Sequence, residues 1–175
     1  MSEEPKLTFS WQQERDSDIS PQEFASKLLN HAQELLARDG SLASAAFLIT
    51  EREIHCYEVS FKDHEQKRKI YDELIVLARL ENAVAVVTLN DAYTTWDATP
   101  EELKKYENYY PGLLQKEKCP ECIFMTITGP GLLNETLTIP YLHVEGEICF
   151  GELKDETGGE VGLLEGWAEK STKKQ

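Results

Sequence analysis

The sequence is short of basic residues: 18 lysines and arginines stand against 32 aspartates and glutamates, which gives a formal net charge of −14. Basic side chains supply most of the affinity for phosphate backbones and anionic lipid headgroups, so this balance predicts no binding to nucleic acid and none to membrane. Mimicry of nucleic acid would need carboxylates gathered on one helical face, whereas here they are spread along the chain. The excess therefore favours solubility, or attraction to a protein partner with a basic surface.

Long hydrophobic runs are also lacking. The longest, 45–49 and 83–87, are far below the roughly 20 residues that span a bilayer. The chain opens on Met1-Ser2-Glu3-Glu4 instead of the basic and then apolar pattern of a secretory signal. We therefore expect a cytoplasmic protein, whose four cysteines are free thiols or metal ligands and not a disulfide framework. The sequence leaves the oligomeric state open.

Motifs that would name a reaction are missing as well. No serine stands in a G-x-S-x-G elbow, and no repeat of solenoid period is visible. Gly129-Pro130-Gly131 lacks the following Lys-Ser or Lys-Thr of a phosphate-binding loop, so it predicts a turn.

Two segments do carry the capping pattern and the periodicity of helices. Ser20 with Glu23 three residues later forms a capping box, and Pro21 suits the first helical position. Asp63 and Gln66 repeat the capping signal at the second segment. Apolar residues follow at helical spacing and predict two amphipathic helices: Phe24, Leu28, Leu29, Ala32, Leu35 and Leu36 in the first, and Ile70, Tyr71, Leu74, Ile75, Leu77 and Ala78 in the second.

Short apolar or alternating runs predict the strands. Segments 45–50 and 54–61 read as a β-hairpin, and the valine-rich run 83–89 is typical of a central strand covered on both faces. Three more strands are expected at 123–128, 136–144 and 147–153, the last two forming a hairpin around Gly146.

These elements predict an α+β fold in a two-layer α/β arrangement. Its sheet is mixed or antiparallel, twisted and of about 5–6 strands, with two main helices on one face. Within the chain, 1–19 is expected to be an N-terminal arm or a short edge strand, 20–153 a single α/β domain, and 154–175 a C-terminal tail. Residues 97–118 are interpreted as an insertion with a short helix inside that domain.

The sharpest local pattern is Cys119-Pro120-Glu121-Cys122. Two thiolates at this spacing can hold one zinc ion, but a structural site needs two more ligands and no second pair of this kind exists. We expect no cofactor. In the alternative, Cys119 and Cys122 bind zinc and the chain is a zinc-stapled structural domain. Two thiols at the start of a strand are the simpler interpretation.

The segment 90–96 is the best candidate for a functional surface. It follows the most apolar strand, at the end where open α/β sheets tend to bind ligands. Its polar and aromatic side chains, with two tyrosines of the insertion, suggest an aromatic-rimmed binding cleft made of Asn90, Asp91, Tyr93, Trp96, Tyr109 and Tyr110.

Two functions are consistent with these residues. The leading hypothesis is a non-enzymatic interaction or accessory module, whose acidic surface and aromatic cleft bind another protein. The alternative is a small hydrolase or metal-dependent enzyme near 90–96, for which Asp91, His143 and Glu145 are the candidate catalytic residues.

Overall fold

An antiparallel sheet of eight strands runs through the residues that the computed structural model describes, which are 5–93, 121–132 and 134–158. The elements in chain order are β1 (Lys6–Glu14), α1 (Pro21–Asp39), β2 (Ala45–Ile49), β3 (Glu53–Ser60), α2 (His64–Leu80), β4 (Ala85–Tyr93), β5 (Glu121–Thr128), β6 (Glu135–Val144), β7 (Glu147–Phe150) and β8 (Lys154–Thr157). The strand order is β1-β3-β2-β4-β5-β6-β7, and β8 pairs with β6 as well. Every described pairing is antiparallel.

Both predicted helices begin at the predicted caps. The Ser20 hydroxyl accepts a hydrogen bond from the Glu23 N–H at 3.1 Å, and the Asp63 carboxylate accepts one from the Gln66 N–H at 2.8 Å. Gly40 ends α1 in the left-handed conformation, with φ of 77°, and its N–H donates to the Leu36 carbonyl. In the described residues no helix is long and apolar enough to cross a membrane.

Both predicted hairpins are confirmed. β2 pairs with β3 from Ala45↔Glu58 to Ile49↔Ile54, and β6 pairs with β7 around a tight turn at Glu145 and Gly146. Both turn residues have positive φ, 51° and 84°, which is the backbone that a two-residue hairpin loop with right-handed strand twist requires.

The helices lie on opposite faces of the sheet, so the prediction of two layers with both helices on one face is wrong. Alternate residues of β2 show this most directly. Phe47 and Ile49 belong to the core that α1 covers, whereas Ala46 and Leu48 belong to the core that α2 covers. The described fold is therefore a sheet between two helical layers.

Chain connectivity explains this arrangement. α1 joins β1 to β2, and α2 joins β3 to β4; each helix connects parallel strands that have one strand between them. Both connections move in the same direction across the sheet, but their strands run in opposite directions. Since such crossovers are almost always right-handed, the two helices must cover opposite faces.

The predicted count of five or six strands is too low, because two strands of the described residues lie in segments expected to be terminal. β1 is an edge strand of nine residues paired with β3, and it lies in the segment predicted as an arm or short edge strand. β8 pairs with β6 at the start of the predicted tail. β8 has no apolar residue, and β1 lacks a regular alternation because its register shifts between Phe9 and Trp11. The predicted insertion 97–118 lies outside the described residues.

Gly129 occupies the tightest backbone contact among the described glycines. The turn predicted at this position is present, and the Leu132 N–H donates to the Gly129 carbonyl at 3.1 Å. A Cβ atom on Gly129 would lie 2.3 Å from the Val84 carbonyl oxygen and 3.1 Å from the Ala85 Cα. Both of these contacts are with backbone atoms, so a side chain at position 129 would force the start of β4 to move.

We expect Gly129→Ala to lower the free energy of unfolding by about 2–3 kcal/mol, since added atoms in a packed site force the backbone to shift. Gly131→Ala is the matched control: Gly131 has φ of 72° and nothing within 4 Å of its Cβ position. That control should cost only about 1 kcal/mol, from the left-handed backbone. Urea denaturation of both variants measures the difference. Equal losses of unfolding free energy in the two variants would show that the close contact with Val84 does not determine the cost of Gly129→Ala.

Candidate functional site

The predicted binding residues Asn90 and Asp91 point to opposite faces of the sheet, because neighbouring residues of a strand alternate. Asn90 is buried, and its side-chain amide donates to the Tyr71 hydroxyl of α2 at 3.5 Å. The Asp91 carboxylate instead accepts a hydrogen bond from the Tyr141 hydroxyl at 2.6 Å. Tyr141 belongs to the core that α1 covers. The two side chains therefore lie on opposite faces of the sheet, and the predicted binding cleft stays a prediction.

Asp91 belongs to a group of four side chains from three neighbouring strands, which we call the β4–β6 cluster: Asp91, Glu121, Tyr141 and His143. Glu121 of β5 stands directly opposite Tyr141 of β6. The His143 Nε2 lies 3.2 Å from the Glu121 Oε2 and donates to it when protonated. The cluster thus contains a Tyr–Asp pair beside a His–Glu pair.

Aromatic packing fixes the centre of the β4–β6 cluster. Tyr141 is buried, and its ring meets the His143 ring edge to face, with centroids 5.7 Å apart. Phe150 of β7 packs on it in the same way at 6.2 Å. Such contacts hold the Tyr141 hydroxyl and the imidazole in defined positions next to the two carboxylates.

Burial dominates the electrostatics of the β4–β6 cluster. It raises the pKa of Asp91 above the ordinary value; the hydrogen bond from Tyr141 lowers this pKa, the charge of Glu121 raises it, and His143 lowers it. Burial and the adjoining Asp91 carboxylate also raise the pKa of Tyr141. At neutral pH Tyr141 therefore keeps its proton and donates a hydrogen bond to the Asp91 carboxylate.

The thiol of Cys122 is buried on the other side of β5. Burial, with a smaller effect of the Asp91 charge, raises the pKa of Cys122 to about 12. A thiol in this state is a poor source of the thiolate that zinc binds. Its predicted partner Cys119 lies outside the described residues. Within the part of the chain that is described, no three His, Cys, Asp or Glu side chains are placed to hold one metal ion. The zinc site stays a prediction.

The structure describes the other predicted site residues only in part. Tyr93 is the last residue of β4, and Trp96, Tyr109 and Tyr110 lie outside the described residues. Glu145 is in the turn between β6 and β7, where its backbone has positive φ. Of the candidate catalytic residues, the structure brings Asp91 and His143 into one cluster.

Two members of the β4–β6 cluster were not predicted from the sequence. Glu121 is part of the predicted cysteine motif, and Tyr141 lies inside the strand predicted at 136–144, but neither was predicted to be a site residue. The available signal was the alternation of Tyr141 and His143 on one strand face. Their partners on β4 and β5 depend on strand register, which the sequence does not specify directly.

Comparisons of the chain with protein-family models, with curated proteins and with solved structures find no match. The chemistry of the cluster is therefore the basis for a functional argument. Two carboxylates beside a phenol and an imidazole can accept a cationic group, and the same groups can hold or move a proton.

We expect Asp91→Asn to raise the melting temperature by about 1–3 °C at pH 7, because asparagine keeps an acceptor for Tyr141 without a charge to desolvate. The raised pKa of Asp91 means that the wild-type carboxyl destabilises the fold as pH rises through its folded pKa. The gain should disappear below the ordinary Asp pKa of about 3.9, where the carboxyl is protonated in both states.

Thermal melts from pH 3 to pH 8 measure this effect. Asp72→Asn on α2 is the control, since Asp72 is exposed and should show little change at any pH. A lower melting temperature of Asp91→Asn at pH 7 would mean that the hydrogen bond from Tyr141 to the charged carboxylate stabilises the fold by more than burial of that charge costs.

Proposed function

We propose that the chain is a protein-binding module that takes a basic segment of its partner at the β4–β6 cluster. The observation that carries this proposal is that two carboxylates, Asp91 and Glu121, lie on one face of neighbouring strands beside Tyr141. The charge of Glu121 raises the pKa of Asp91, which shows that the ionised Asp91 carboxylate is disfavoured beside it. A lysine or arginine side chain bound next to Asp91 would offset this repulsion.

The charge of the segments from β5 to β8 favours the same kind of partner. Residues 121–132 and 134–158 contain seven carboxylates and a single lysine, Lys154. A surface of one sign raises the local concentration of an oppositely charged partner and speeds its association. The acidic surface and the cluster therefore act in the same direction.

The geometry of the cluster also suits a cationic side chain. Opposite charges about 4 Å apart interact by roughly 4 kcal/mol near a protein surface, more than they do in bulk water. Phe150, which is half-buried beside Tyr141, adds an aromatic face on which a guanidinium group stacks favourably. We infer that arginine is preferred over lysine at this position.

We expect a fluorescein-labelled peptide of arginine, lysine and leucine to bind the protein, and Asp91→Asn with Glu121→Gln to weaken it by about five- to tenfold. Fluorescence anisotropy at low and at high salt measures the affinity, which should fall as salt screens the charges.

The matched control is the double variant Asp72→Asn with Glu73→Gln. It makes the same chemical changes at exposed positions of α2, on the opposite face of the sheet. It should change the affinity by less than about twofold. Equal weakening by both double variants would show that net charge alone, and not the β4–β6 cluster, determines the affinity. Tight binding of a peptide with glutamate in place of the basic residues would exclude the proposal.

A second candidate is a small acid–base hydrolase at the same cluster. It is favoured by one observation: Asp91 and His143 share the cluster, with Tyr141 and Glu121 between them. In that function His143, oriented by Glu121, would take or give the proton, and the Tyr141 hydroxyl would donate to a developing negative charge.

The enzyme candidate predicts turnover of a simple activated ester or phosphate by the wild type, and a loss of about 10²-fold or more in His143→Gln. A panel of p-nitrophenyl esters and p-nitrophenyl phosphate, followed by absorbance, measures it. Equal turnover by the wild type and His143→Gln would exclude the enzyme candidate and leave the peptide-binding proposal unaffected.

A further inference from the structure

A groove separate from the β4–β6 cluster lies between the start of α1 and the edge strand β1. Its volume is about 380 Å³, within the range of small-molecule sites. We call it the α1 groove and define it by Trp11, Phe24, Leu28, Ile49 and Ile54, together with the charged residues at its rim.

Apolar side chains from three elements form the floor and walls of the α1 groove. Ile49 and Ile54 are buried beneath it, and Phe24 and Leu28 form the α1 wall. The Trp11 indole forms the β1 wall and remains 38% exposed. Phe47 supports both walls, with ring centroids 5.6 Å from Phe24 and 6.0 Å from Trp11. An apolar ligand would remove this surface from water.

Hydrogen bonds fix the loop that closes one end of the groove. The Arg15 guanidinium donates to the Thr50 carbonyl at 3.0 Å and to the Ile19 carbonyl at 3.3 Å. The Arg15 backbone N–H donates to the Arg52 carbonyl at 2.7 Å. Arg15 thus joins the loop to the β2–β3 hairpin, and the groove is preformed instead of being made on binding. Preformed sites lose less free energy to ordering when a ligand binds.

Charge is distributed unevenly around the rim. Lys27 and His31 are exposed, one helical turn apart, on the α1 side of the groove. The positive end of the α1 helix, at Ser20, lies on the same side. Glu14 and Asp16 lie on the β1 side. The Arg15 guanidinium is held by two backbone carbonyls, and His31 also lies 3.9 Å from the Glu34 carboxylate, so Lys27 is the main attraction for an anionic group at the rim.

We propose that the α1 groove binds an amphipathic monocarboxylate: an apolar chain or ring in the groove, with one carboxylate at Lys27 and His31. The volume of about 380 Å³ leaves room for roughly a dozen non-hydrogen atoms, if each takes the ~30 Å³ of a liquid water molecule. Lys27 supplies the ion pair and His31 a ring N–H donor. This binding does not depend on the function proposed for the β4–β6 cluster.

Isothermal titration calorimetry of the full-length protein with decanoate, decanol and decylamine tests the proposal. Decanoate is a monocarboxylate of the expected size, and the other two present the same chain with a neutral or a cationic head. We expect decanoate to bind one to one and more tightly than decanol, and decylamine to bind least. Lys27→Gln should weaken decanoate by about three- to tenfold and leave decanol unchanged.

Lys69→Gln is the matched control, because Lys69 is exposed on α2, on the other face of the sheet, and the change in net charge is identical. It should leave the affinity for decanoate unchanged. A second variant, Trp11→Ala, removes the β1 wall and should weaken decanoate and decanol alike; circular dichroism confirms that it folds. The proposal is overturned if decylamine binds as tightly as decanoate, if Lys27→Gln and Lys69→Gln behave alike, or if no ligand binds.

Discussion

The alternation of side chains across a sheet that is covered on both faces is the constraint on which the rest of this structure depends. β2 and β4 contribute alternate residues to two separate cores, one under each helix. The middle residues of such a strand are buried on both faces, so a polar side chain there needs a partner from a neighbouring strand or helix. Asn90 donates a hydrogen bond to Tyr71 on the face that α2 covers, and Asp91 accepts one from Tyr141 on the face that α1 covers.

Local signals of the sequence predict the elements well. The caps at Ser20 and Asp63 and the turn at Gly146 each depend on a few neighbouring residues, and the structure confirms all three. The placement of α2 depends on the order in which strands pair, which is a long-range property. Yet the valine-rich run of β4 was itself predicted to be covered on both faces, and combining it with right-handed crossovers would have placed the helices correctly.

The candidate site was predictable only in part, for the same reason. Asp91 and His143 could be selected by residue type, but the side chains that join them, Glu121 and Tyr141, are set by the register of β4, β5 and β6. A shift of one residue between β4 and β5 would put Asp91 on the opposite face from the other three groups. A shift between β5 and β6 would separate Asp91 and Glu121 from Tyr141 and His143. The groove beside α1 was not predicted at all, because Trp11 belongs to a strand whose periodicity is interrupted and whose neighbours are mostly polar.

The interruption in β1 has a consequence for self-association. Phe9 pairs with Tyr57 and Trp11 with Cys56, so Ser10 is an extra residue in the edge strand and the two aromatic rings face opposite sides. A flat nine-residue edge with free backbone groups would be a template for another chain's strand. The extra residue bends this edge and breaks its hydrogen-bonding repeat, and Lys6 and Glu14 place charges at its ends. β1 can therefore hold its aromatic rings at the surface while discouraging the growth of fibrils.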